Sequence, residues 1–130
     1  MFDRFSAYHP QLLSLLRIVT GLLFVSHGTA KVLGFPAMDG LPPPGLSLAG
    51  LSGPLELVLG TLFLIGLFTR PVAFLAAGFS AVGYWMVHGA QGPIPMTNGG
   101  ETIALYCFVF LYFVAAGPGP WSADAMMKRR

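Results

Sequence analysis

The chain has 130 residues, 55% of them hydrophobic and 9% charged, with a formal net charge of +2 and a mean hydropathy of +0.71. Soluble domains carry about 25% charged residues, so the composition excludes a soluble protein, and the length leaves room for one membrane domain over 1–130 and no separate catalytic domain. The single cysteine, Cys107, excludes an internal disulfide and a C-x-x-C relay, and reads as a small apolar residue in a helix.

Residues 1–10 form a short amphipathic lead closed by His9-Pro10. It is not read as a cleavable signal: the apolar run after Asp3 and Arg4 is too long, and no small-x-small site follows it. The first span covers about 11–34. At about 100° per residue, Arg17, Thr20, Gly21, Phe24, His27, Gly28 and Lys31 fall on one third of its circumference. Leu16, Val19, Leu22, Leu23 and Val25 form the opposite, lipid-facing side. Charges inside a spanning segment face a bundle interior or a watery cavity, so the rest of the chain is expected to meet this polar stripe.

Residues 35–50 contain three consecutive prolines, Pro42 to Pro44, and read as a connector or as a lid over the bundle mouth. The second span, about 51–69, aligns Gly53, Glu56 and Gly60, a spacing that lets helix backbones approach closely. Thr69-Arg70-Pro71 makes a tight turn, with Arg70 as an interfacial anchor. The third span, about 71–90, carries a stripe of Ala77, Ser80, Ala81, Tyr84 and His88, although Tyr84 and Trp85 also fit an aromatic belt. After a second Pro/Gly loop, the fourth span runs about 101–117, with Asn98 or a neighbouring residue capping its start and Glu101 at the positive end of its dipole. Glu101, Phe108, Tyr112 and Ala115 share a face there. GPGP ends the helix, and WSADAMMKRR is read as a tail leaving the bundle.

Four alternating spans give an all-α, antiparallel transmembrane four-helix bundle. The alternation brings His27, Lys31, Glu56, His88 and Glu101 to one end, each within about two turns (roughly 10 Å) of the boundary. These five are expected to form one cluster. It is either an ion-paired register lock or a pocket for a ligand. Arg17 lies nearer the other end with no acid at its depth, and is left to a carbonyl, a lipid phosphate, Tyr112 or an anionic ligand. That end also collects Arg4, Arg70, Lys128, Arg129 and Arg130. The positive-inside rule then puts both termini in the cytoplasm and the cluster on the outward side of the inner (plasma) membrane. The basic tail reads as a lipid contact or topology signal rather than a nucleic-acid patch.

His27-Gly28-x-x-Lys31, Gly53-x-x-Glu56-Leu57-x-x-Gly60, Gly66-Leu67-x-Thr69-Arg70, Asn98-Gly99-Gly100-Glu101 and Gly117-Pro118-Gly119 together, in this order, resemble the DoxX family of small bacterial four-helix membrane proteins. The resemblance implies kinship with the membrane subunit of thiosulfate:quinone oxidoreductase and with redox complexes handling thiols and oxidative stress. The family's polar positions fall on Arg17, His27, Lys31, Glu56, His88, Asn98 and Glu101. The expected function is therefore a redox subunit binding a quinone or another small ligand. Arg17, His27, Lys31, Glu56, Tyr84, His88, Asn98 and Glu101 are its binding candidates. His27, His88 and Glu101 are candidate proton carriers, and Phe108, Tyr84 or Trp85 could flank a ring. The chain has no haem, iron–sulfur or dinucleotide pattern, so electrons come from a soluble partner or the substrate. No covalent cofactor is expected. Nor is a metal, because His27, His88, Glu56 and Glu101 include no pair at ligand spacing on one helix. Two alternatives stand beside this: a non-enzymatic anchor for a soluble redox protein or a second copy of the chain, and a small transporter or lipid-binding protein holding an anion beside Lys31.

Overall fold

Pro10 sits in the first turn of α1 (His9–Leu33), where its missing N–H has no helical partner to lose, and Gly34 ends the helix in the left-handed region at φ 72°. The computed structural model describes residues 1–129. A 3₁₀ segment, Phe2–Tyr8, leads directly into α1, giving a continuous helical run over Phe2–Leu33. α2 (Leu48–Ile65) starts earlier than apolar spacing alone suggests, because Ser47 accepts the Gly50 N–H at 3.0 Å and caps it. Pro54 consequently lies inside the helix instead of in its first turn. α2 stops at Ile65, before Thr69, and Gly66 (φ 71°) and Phe68 (φ 51°) turn the chain. Then come α3 (Thr69–Gly83), a π turn over Tyr84–His88, a 3₁₀ turn over Gly89–Gln91, α4 (Pro95–Asn98), α5 (Glu101–Ala116) and α6 (Ala123–Lys128).

The bundle is built from two hairpins, α1 with α2 and α3 with α5. The first is sealed by glycines two turns apart on both helices. A Cβ on Gly21 would lie 2.7 Å from Leu64 Cα, and one on Gly28 2.5 Å from Leu57 N. Reciprocally, a Cβ on Gly53 would lie 2.7 Å from Lys31 Cβ, and one on Gly60 2.8 Å from Val25 Cγ2. Only hydrogen side chains allow this approach. Val25 is thus spent on the α1–α2 contact, a correction to its lipid-facing assignment, whereas Leu16, Val19, Leu22 and Leu23 are exposed as expected.

The two hairpins meet through aromatic edges. Phe24 of α1 and Phe63 of α2 each contact Phe110 of α5, with centroids 5.0 and 4.9 Å apart and rings near perpendicular. Such pairs add about 0.5–1.5 kcal/mol beyond burial. Ala73, Ala76 and Ala77 of α3 fill the remaining space. Phe2–Leu33, Leu48–Ile65 and Thr69–Gln91 are long and apolar enough to cross a membrane. α5 is apolar too, but its 16 residues are shorter than these; at 1.5 Å per residue it covers about 24 Å of a core of about 30 Å. The architecture is all-α, an apolar transmembrane bundle. Residues 34–47 are exposed along most of their length and form a connector, not a lid packed on the bundle.

Candidate functional site

Lys31 occupies the last turn of α1, and Gly53 on α2 leaves room for its stem. Its ammonium lies 2.9 Å from Glu56 Oε1 and donates to Ser52 Oγ at 3.1 Å. The pair is sheltered, with side-chain exposures of 17% for Lys31 and 9% for Glu56. The second carboxylate oxygen, Glu56 Oε2, is buried with no hydrogen-bond partner among the described residues. His27, one turn before Lys31, is exposed and within electrostatic reach of Glu56. Its ring stands edge-on to Tyr106 of α5, with centroids 6.3 Å apart. Tyr106 is buried and also within reach of Glu56. The sequence reading missed it. The available signal was its position on α5: Tyr106, Phe110 and Phe113 repeat at the spacing of one buried face.

A second polar group forms at the same end, between the π turn and α4. His88 Nδ1 is 3.0 Å from the Asn98 carbonyl oxygen. The Asn98 amide nitrogen donates to Tyr84 Oη at 3.0 Å and to Gly92 O at 2.9 Å, and its side-chain oxygen accepts the Gly100 N–H at 2.8 Å. Asn98 therefore spends its donors and acceptor on closing this loop ahead of α5.

The five ionisable groups are not joined in one network. Lys31 pairs with Glu56, His27 stands beside them, and His88 belongs to the Asn98 loop. Glu101 is exposed and makes no ion pair or hydrogen bond among the described residues. The cause is rotational. The face shared by Glu101, Phe108, Tyr112 and Ala115 exists, but it points outward, because Tyr106, Phe110 and Phe113 occupy the inner face. Phe108 and Trp85, both 69% exposed, likewise stand outside the bundle and do not flank an interior ligand. Among the described residues no three His, Cys, Asp or Glu side chains gather into a metal site.

Arg17 is at the opposite end and is 1% exposed. Its guanidinium donates to the carbonyl oxygens of Pro118 and of Trp121, the latter at 2.6 Å. Ser14 Oγ accepts the Trp121 N–H at 3.1 Å. The last segment does not trail away, a correction to its reading as a tail. Ser122 caps α6 by accepting the Ala125 N–H at 3.1 Å. Asp124 Oδ1 and Oδ2 accept the N–H groups of Phe68 and Thr69, each at 2.9 Å, so α6 caps α3 from outside. The Asp124 N–H returns a bond to Gly66 O at 2.9 Å. Burial pushes the Asp124 carboxyl upward, but the N–H bonds from Thr69 and Phe68 and the nearby Lys128 outweigh it and hold the pKa below its ordinary value. Arg70 Nη1 donates to the Val114 and Ala115 carbonyl oxygens at the end of α5.

Known proteins share this layout in sequence. The chain is 42% identical over 125 residues to an uncharacterized protein of Haemophilus influenzae, covering 90% of this chain and 91% of the relative. It is 35% identical over 136 residues to the Escherichia coli inner membrane protein YphA, covering 95% and 94%. It is 29% identical over 142 residues to the uncharacterized membrane protein Rv3486 of Mycobacterium tuberculosis, covering 88% and 80%. No solved structure matches. The sequence model of the DoxX family matches residues 12–89, which hold most of α1, the Lys31–Glu56 pair, α2 and α3, and on this match the chain belongs to the DoxX family.

Proposed function

We propose that the Lys31–Glu56 end of the bundle holds a small ligand with a polar head, a quinone or a molecule of like chemistry, and that the protein is the membrane subunit of a redox complex. The observation that carries this reading is Glu56 Oε2, a buried carboxylate oxygen beside Lys31 and His27 with no hydrogen-bond partner among the described residues. Leaving a buried polar group unpaired costs about 1–3 kcal/mol, which a ligand hydroxyl would relieve. An ammonium has three donors, and Lys31 spends them on Ser52 and Glu56 with one to spare for a ligand carbonyl. A free acceptor beside a free donor suits a head group that exchanges carbonyl for hydroxyl on reduction. His27, which stands beside the pair, would carry the protons, and the electrons would come from a partner protein or the substrate. Tyr84 and Asn98 would hold the rim, and Arg17 would stay outside the site.

Basic residues Arg4, Arg70, Lys128 and Arg129 gather at the other end, which supports cytoplasmic termini and an outward-facing ligand end. The name of the E. coli relative supports the inner membrane as the location. The test is mass spectrometry of organic extract from gently purified protein. A quinone present in wild type and lost from Glu56→Gln at unchanged melting temperature is the expected result. An empty extract with a soluble protein retained would favour the anchor role, a reading that the fully satisfied Asn98 loop also suits.

A further inference from the structure

At the Arg17 end a shallow groove runs between the first turn of α3 and α6, lined by Phe68, Arg70, Pro71, Asp124, Met127 and Lys128 among others. We propose that it binds one anionic phospholipid, with the phosphate between Arg70 and Lys128 and an acyl chain running along Phe68, Pro71 and Met127. The groove lies where α2 ends, α3 begins and α5 ends, the depth at which head groups sit. Arg70 is held in place by giving Nη1 to the Val114 and Ala115 carbonyls, while its Nε and Nη2 have no hydrogen-bond partner among the described residues. That leaves one edge of a planar fork, the geometry that suits phosphate. The Lys128 ammonium is exposed, near Asp124 but not in an ion pair with it, and makes no hydrogen bond among the described residues. The acid in the lining, Asp124, has both oxygens bound to N–H groups at the start of α3, so its charge is met by the helix end. The apolar wall is open to the bilayer: Phe68 is 60% and Met127 52% exposed. Basic and apolar groups on one groove at this depth fit a lipid, whose head is anionic and whose tail is apolar, and they do not fit a free anion.

The experiment uses the full chain, delipidated in detergent, with phosphatidylglycerol, phosphatidylcholine or inorganic phosphate added. Phosphatidylglycerol is expected to raise the melting temperature and to appear as one bound lipid per chain by native mass spectrometry. Lys128→Gln should weaken its apparent affinity about fivefold, whereas Arg129→Gln, outside the groove, should leave it unchanged. Arg70→Gln lowers the starting stability by freeing the α5 carbonyls, so the lipid-induced increment is the quantity read there, and it should shrink. An equal increment from phosphatidylcholine, or full affinity in Lys128→Gln, overturns the site. An equal increment from inorganic phosphate overturns the lipid as occupant.

Discussion

The two ends of the bundle each bury a charged group from α1 or its partner helix, and they treat it differently. At one end Arg17 is met by the carbonyls of Pro118 and Trp121, with Ser14 tying the same strand of chain. At the other, Glu56 is met on one oxygen by Lys31 and left bare on the second. Both residues look equally suspicious in a hydrophobic span. Following their partners separates them: Arg17 spends both terminal nitrogens on main-chain carbonyls, leaving only its Nε unpaired among the described residues, and is a clasp that holds the chain, whereas Glu56 keeps a whole carboxylate oxygen in reserve.

The comparison breaks most visibly at Arg17. Arg17→Leu strands two partly buried carbonyls, each costing about 1–3 kcal/mol, and should lower stability by about 3–5 kcal/mol, read as lost monodisperse protein and a lower melting temperature in detergent. Glu56→Leu should cost less, about 2–3 kcal/mol, because Lys31 is near enough to the surface to snorkel away. The double variant Lys31→Met with Glu56→Leu should recover most of that loss. A double variant as unstable as the single one would show that the pair is tied into more than itself.

Asp124→Asn should cost about 1 kcal/mol, since its carboxylate is only partly buried. Because the folded pKa is depressed, the wild-type contribution is fully present above the ordinary carboxylate pKa of about 4 and is lost as the pH falls through the folded value. Proteolysis of the C-terminal segment should therefore accelerate in acid for wild type and be fast and flat with pH in that range for Asp124→Asn. The smallest effect belongs to His27→Gln. As an exposed side chain it should change the melting temperature by under about 0.5 kcal/mol equivalent, while altering what co-purifies.

The helices and the inner face of α1 were readable because a membrane helix must be long and apolar, and the charged stripe contrasts with its lipid side. α5 offers no such contrast. It is apolar on all sides, so the depth of Glu101 was readable and its rotation was not. The docked C-terminus left a partial trace: Ser122, Asp124 and Lys128 carry helix start and stop chemistry. Their partners are main-chain N–H and C=O groups, which no side chain announces. For the same reason the carbonyls that meet Arg17 could be named only as one alternative among several.

The span between Arg17 and its partners also sets an order of assembly. Pro118 and Trp121 follow Arg17 by 101 and 104 residues. At about 5–20 residues per second of synthesis, the arginine waits on the order of 5–20 s before its carbonyls exist. An arginine at the centre of a translocating helix costs about 2.5–3.5 kcal/mol; its place nearer one end lets it stay in the head-group region during that wait. Burial of Arg17 is thus a late event of biogenesis, completed only when the segment after α5 has been delivered. A chain stopped at the close of α5 would leave the Arg17 guanidinium without the two carbonyls that meet it.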